Sequence, residues 1–135
     1  MKFMYLLTPF LAWLVAGILK FLINSVNERR LAYDLIGYGG LPSNHSAIVS
    51  SMASLIAMKE GIEHPAFGVA VGFAFIVVLD ANSLRKQVGL HAELLNRIGE
   101  LAGDQVLRER IGHRKMEIVA GILVGIFVAA IVALL

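Results

Sequence analysis

The chain has 135 residues, 58% of them hydrophobic and 16% charged, with four histidines, a formal net charge of +2 and no cysteine. Disulfides, thiolate metal sites and a cysteine nucleophile are therefore excluded. A mean hydropathy of +0.76 is too apolar for a soluble core of this size, and a pI near 9.2 suits a surface facing anionic lipid. No soluble basic domain is present to serve as a nucleic-acid footprint.

In chain order, four apolar stretches predict membrane spans: 3–23, 46–61, 65–79 and 116–135. The first resembles a secretory leader, with small residues at Ala16 and Gly17, but its apolar run continues past Lys20 to Ile23, which favours a span. The more polar segment 82–115 alternates apolar and charged residues at helical spacing, predicting one or two amphipathic helices along the membrane interface. The expected fold is thus an all-α integral membrane protein, one domain over 1–135: a bundle of about four transmembrane helices plus this interfacial segment. No internal repeat or low-complexity segment interrupts it.

If the spans alternate in direction, Lys20, Arg29, Arg30, Arg85, Lys86, Arg97, Arg108, Arg110, Arg114 and Lys115 collect near one face, leaving Lys2 and Lys59 for the other. Ten against two predicts that the first face is cytoplasmic. The same topology brings Lys20, His45, Asp80, His113 and Glu117 to that face. Titratable groups at membrane depth are costly without hydration or counterions, so their convergence predicts a single functional site there.

Two segments carry the chemistry. His113 and Glu117 stand four residues apart at a helix start, on one face. The carboxylate can hold one imidazole nitrogen and leave the other as a lone pair for an electrophile or a metal. Gly39-Gly40-Leu41-Pro42-Ser43-Asn44-His45 reads as a turn followed by a helix, with Ser43 as its N-cap. Free amides there bind anions, and His45 on the first turn is placed to give a proton to a departing oxygen. Asp80 has two readings, orienting Arg85 or a histidine, or capping a span end. Lys20 likewise either snorkels to the head groups or contacts phosphate. Gly68-x-x-x-Gly72 and Gly121-x-x-x-Gly125 predict close helix packing.

These segments resemble the type 2 phosphatidic acid phosphatase superfamily, whose acid phosphatases and vanadium haloperoxidases share three motif blocks. Pro42-Ser43-Asn44-His45 is similar to its Pro-Ser-Gly-His block. Ser83-Leu84-Arg85 resembles the Ser-Arg element, and His113-x-x-x-Glu117 followed by Gly121 and Gly125 resembles the His-x-x-x-Asp helix, with about twenty extra residues between them. Asn44 replaces Gly and Glu117 replaces Asp; after Lys20 the usual arginine position holds Asn27, for which Arg29 or Arg30 substitutes. His91 has the undivided spacing from Arg85, but Leu95 stands where an acid belongs, so His113 is preferred.

The resemblance implies a membrane lipid phosphate phosphatase. His113 attacks phosphorus, Glu117 holds its ring, His45 protonates the leaving oxygen, and a phosphohistidine forms. Arg85, Lys20, Arg29 or Arg30, Ser43 and the Asn44 amide stabilise the phosphoryl oxygens, Asp80 supports them, and no metal or other cofactor is required. The expected setting is a bacterial inner membrane with the site facing the cytoplasm. A cytoplasmic site favours phosphatidylglycerophosphate, with phosphatidic acid or a polyprenyl diphosphate as alternatives. The partners implied are the lipid phosphate and membrane lipids, no nucleic acid, and a second copy if four spans leave an acyl chain unenclosed. Two readings from other classes stand beside this one: a zinc or iron site built from His45, Asp80, His113 and Glu117, and a non-catalytic membrane adaptor.

Overall fold

The computed structural model describes residues 3–31, 33, 40–99, 106, 107, 109 and 113–135, and its regular structure is entirely helical. Five helices follow in order: α1 Met4–Glu28, α2 Asn44–Lys59, α3 Pro65–Asn82, α4 Leu84–Gly99 and α5 Lys115–Leu134. The expected turn residue Gly39, and 100–105, 108 and 110–112 of the expected interfacial segment, lie outside the described residues.

The bundle is built by placing small side chains inside and large ones outside. On α1 the buried residues Thr8, Ala12, Ala16 and Lys20 recur every four positions, while Phe10, Trp13, Leu14 and Ile18 are exposed. Helices in lipid gain little from hiding leucine from hydrocarbon, so backbones approach wherever small residues allow dense contact. The core follows this rule: Ala12 and Ala16 of α1, Ala47 and Leu55 of α2, and Val128, Ala129 and Val132 of α5.

Helix α2 occupies the centre, packed against α1, α3 and α5. Gly121 and Gly125 make the α2–α5 approach tight: a Cβ on Gly121 would meet the Ser43 carbonyl oxygen and the Ser46 Cβ. A Cβ on Gly125 would meet Ser50 Oγ, the Ala47 carbonyl and the Ser51 amide. The expectation for Gly68 and Gly72 is not met in the same way. Both lie on an exposed side of α3 with open space around them.

Among the described residues, three helices are long and apolar enough to cross a membrane: α1 with 25 residues, the helical stretch that begins at Pro65, and α5 with 20. The expected span 46–61 is different. As α2 it has 16 residues and several serines, about 24 Å of helix against a hydrocarbon core of about 30 Å. Two of its hydroxyls bond locally, Ser50 donating to the Ser46 carbonyl at 2.6 Å and Ser51 to the Ile48 carbonyl at 2.8 Å. Because α1, α3 and α5 pack around α2, its surface answers largely to neighbouring helices.

Within the segment expected at the interface, α4 contacts α3, buries Gly89, Ala92 and Asn96, and exposes Leu84, Leu94, Leu95 and Ile98. Asn96 accepts from the Leu107 amide at 2.6 Å and donates to the Leu107 carbonyl at 2.7 Å, fastening the chain beyond α4 back onto it.

Candidate active site at one end of the bundle

Three helix ends meet through backbone hydrogen bonds. The Ser43 amide, just before α2, donates to the Glu117 carbonyl on the first turn of α5 at 2.9 Å. The His113 amide, just before α5, donates to the Ala81 carbonyl near the end of α3 at 3.2 Å. These ties hold the start of α2, the start of α5 and the end of α3 together. The opposite end is marked by Tyr5, whose hydroxyl donates to Glu60 after α2.

Ser43 has extended backbone angles and caps α2, its Oγ accepting from the Ser46 amide at 3.4 Å and the Ser46 hydroxyl at 3.0 Å. It is fully buried, and its side chain already serves the helix start. Asn44 follows with its amide beside Gly17 of α1. Its Oδ1 is buried and has no hydrogen-bond partner among the described residues.

Nδ1 of His113 lies 2.9 Å from Glu117 Oε2, and the two side chains are 5% and 13% exposed. The same Oε2 accepts from the Arg114 amide at 3.2 Å. Glu117 therefore caps α5 and orients the imidazole at once. With Nδ1 engaged, Nε2 of His113 is the nitrogen left for chemistry.

The His45 ring faces His113 with centroids 6.3 Å apart and planes inclined by 56°. Arg85 Nη2 lies 3.2 Å from His45 Nε2, and Arg85 Nε donates to Asp80 Oδ2 at 3.2 Å. Asp80, on the last turn of α3, thus bonds Arg85, one of the two partners its orienting reading offered.

Lys20 is 8% exposed, buried among the helices rather than extended to the head groups. It stands within electrostatic reach of Glu117 and His45. Arg29 and Arg30 lie at the exposed C-terminal end of α1, the former in a left-handed conformation. At 1.5 Å per residue, Arg29 is roughly 13 Å along the axis from Lys20. His91 is exposed on α4, about 9 Å of helix beyond Arg85.

His45 stands on the first turn of α2, at the open end of the bundle. Partial burial holds its imidazole below its ordinary value, and the positive charge of Arg85, then His113 and Lys20, acts in the same direction; Asp80 opposes them. Among the described residues no three His, Asp or Glu side chains converge to hold a metal ion.

Sequence reasoning missed the backbone ties from Ser43 to Glu117 and from His113 to Ala81, because nothing in a local motif encodes contacts between remote helix ends. It also missed the Arg85–His45 bond, for which spacing along the chain carries no signal.

The model of the Divergent PAP2 family matches residues 1–128. A curated relative from Bacillus subtilis (strain 168), the "Uncharacterized membrane protein YuiD", is 28% identical over 146 residues, covering 95% of this chain and 92% of its own. No solved structure matches. With a match spanning nearly its whole length, the chain is a membrane protein that belongs to the Divergent PAP2 family.

Proposed function

We propose that the chain is a lipid phosphate phosphatase that works through a phosphohistidine, with phosphatidylglycerophosphate as its first candidate substrate. The observation that supports this reading is the pair of imidazoles facing one another with ring centroids 6.3 Å apart, one held by a carboxylate through Nδ1 and the other beside a guanidinium.

The chemistry follows from that placement. Nε2 of His113 attacks phosphorus, the P–N bond forms, and the P–O bond to the lipid breaks with its electron pair leaving on oxygen. Protonated His45 gives its proton to that oxygen. Water then attacks phosphorus, the P–N pair returns to His113 Nε2, and His45 takes the proton from water, which restores the starting state. Glu117 stabilises the positive ring of the phosphohistidine. Arg85 and Lys20 balance charge on the phosphoryl oxygens, with the Asn44 amide at the α2 N-terminus and Ser43 shaping the turn that presents it. Arg29 and Arg30, further out on α1, meet the substrate's anionic surroundings.

The excess of lysine and arginine at this end supports a cytoplasmic site in an inner membrane, and a lipid phosphate made in that leaflet. The test is phosphate release from purified phosphatidylglycerophosphate, phosphatidic acid and undecaprenyl diphosphate in mixed micelles. The unmodified protein should release phosphate, fastest from phosphatidylglycerophosphate. His113→Ala and His45→Ala should lose at least about 10³-fold and 10²-fold respectively. Folded protein without activity on any of the three overturns the phosphatase reading; preference for another lipid overturns only the substrate assignment.

A further inference from the structure

Arg85 is joined on two sides. Its Nε donates to Asp80 Oδ2 and its Nη2 donates toward His45 Nε2, each at 3.2 Å. A guanidinium has only donors, so His45 must accept at Nε2, and an imidazole that accepts there carries no proton on that atom. In this arrangement His45 accepts at Nε2 and does not hold there the proton that a leaving oxygen needs.

We propose that Arg85, anchored by Asp80, keeps His45 deprotonated until a phosphate enters, and that the phosphate draws Arg85 away and so arms the acid. The inference rests on the phosphatase reading and deepens it. A phosphate oxygen accepts a charge-assisted bond from guanidinium, a stronger pairing than one between guanidinium and a neutral imidazole. Once Arg85 turns to phosphate, Nε2 is free, and the entering negative charge favours the imidazolium. His45 then takes one proton from solvent at Nε2, passes it to the leaving oxygen and regains one from the attacking water. After phosphate departs, Asp80 returns Arg85 to His45, and the proton goes back to solvent.

Burial most of all, then Arg85 from α4, His113 ahead of α5 and Lys20 from α1, disfavour the charged form of His45, while the charge of Asp80 from α3 favours it. Asp80 and Arg85 side chains are about one-third exposed, leaving the pair room to rearrange. Asp80 is a positioning residue here, acting on His45 through Arg85.

The experiment is a histidine NMR titration of the full chain in nanodiscs, with 15N-labelled imidazoles assigned by His45→Gln and His91→Gln. It is run without ligand, with orthovanadate as phosphate mimic, and on Arg85→Gln. Without ligand, His45 should titrate below its ordinary value; with vanadate, at least about one pH unit higher. Arg85→Gln should raise the unliganded value. In kinetics, the alkaline limb of kcat/KM should lie below that of kcat, and Asp80→Asn should narrow the separation while the protein stays folded.

Vanadate that perturbs both histidines without moving the His45 titration overturns the proposal and leaves the phosphatase reading intact. An unchanged separation in Asp80→Asn overturns the anchoring function of Asp80. Vanadate that perturbs neither histidine, together with no phosphate release, overturns both readings.

Discussion

The glycines of α5 give the sharpest test of how this bundle is held. In Gly125→Ala the new Cβ would fall against Ser50 Oγ, 2.5 Å from the Ala47 carbonyl oxygen and 2.9 Å from the Ser51 amide nitrogen. Two of these are backbone atoms of α2, so no rotamer change relieves the contact and the helices must separate. Overpacking of this kind costs about 1–3 kcal/mol. For a chain of this size that is a fall in Tm of roughly 4–12 °C. Function should suffer more than stability. Helix α2 carries His45 and α5 begins at His113 and Glu117, so separating them widens the gap between the rings, and a displacement of about 1 Å costs around 10²-fold in rate. The assay is thermal unfolding in detergent followed by tryptophan fluorescence, paired with phosphate release. Gly68→Ala and Gly72→Ala are the controls. Their Cβ atoms meet nothing within 4 Å, and alanine's better helix propensity makes them neutral or stabilising by up to about 1 kcal/mol. Equal effects from the α3 and α5 substitutions would refute the packing argument.

Three further outcomes follow from the geometry. Glu117→Gln keeps an acceptor for the Arg114 amide but loses the charge facing His113, so kcat should drop about 10²-fold or more while Tm moves by only a few degrees, measured by phosphate release and thermal unfolding. Lys20→Met removes a buried ammonium from among the helices; the protein should be as stable as before or more so by about 1 kcal/mol, with kcat/KM down at least about tenfold. Asn96→Ala leaves the amide and carbonyl of Leu107 without their side-chain partner and should cost about 1–3 kcal/mol, seen as faster hydrogen exchange at Leu107 with the His113–Glu117 pair unaffected by NMR.

Much of the site was legible one segment at a time. Ser43 as a helix cap and the His113–Glu117 pair depend on contacts within four residues, where helix geometry alone dictates who meets whom. Lys20 was harder: the same residue snorkels or is buried according to which face of α1 other helices cover, and that is settled by packing. Asp80 posed the same difficulty. Its choice of Arg85 follows from the α3–α4 junction, and the guanidinium's reach to His45 follows from where α2 begins, forty residues earlier.

The sequence by itself determined the helices, their apolar runs and the gathering of charge near their ends, because hydropathy and the 3.6-residue repeat act locally. It could not tell the two Gly-x-x-x-Gly pairs apart, since they are locally alike. Tertiary structure decided that Gly121 and Gly125 clasp α2 while Gly68 and Gly72 face outward, and that the short, serine-bearing α2 lies at the centre. The physical reason is that helix association in lipid depends on dense contact between remote backbones. A small residue permits such an approach, but only its neighbour in space determines whether the approach is made.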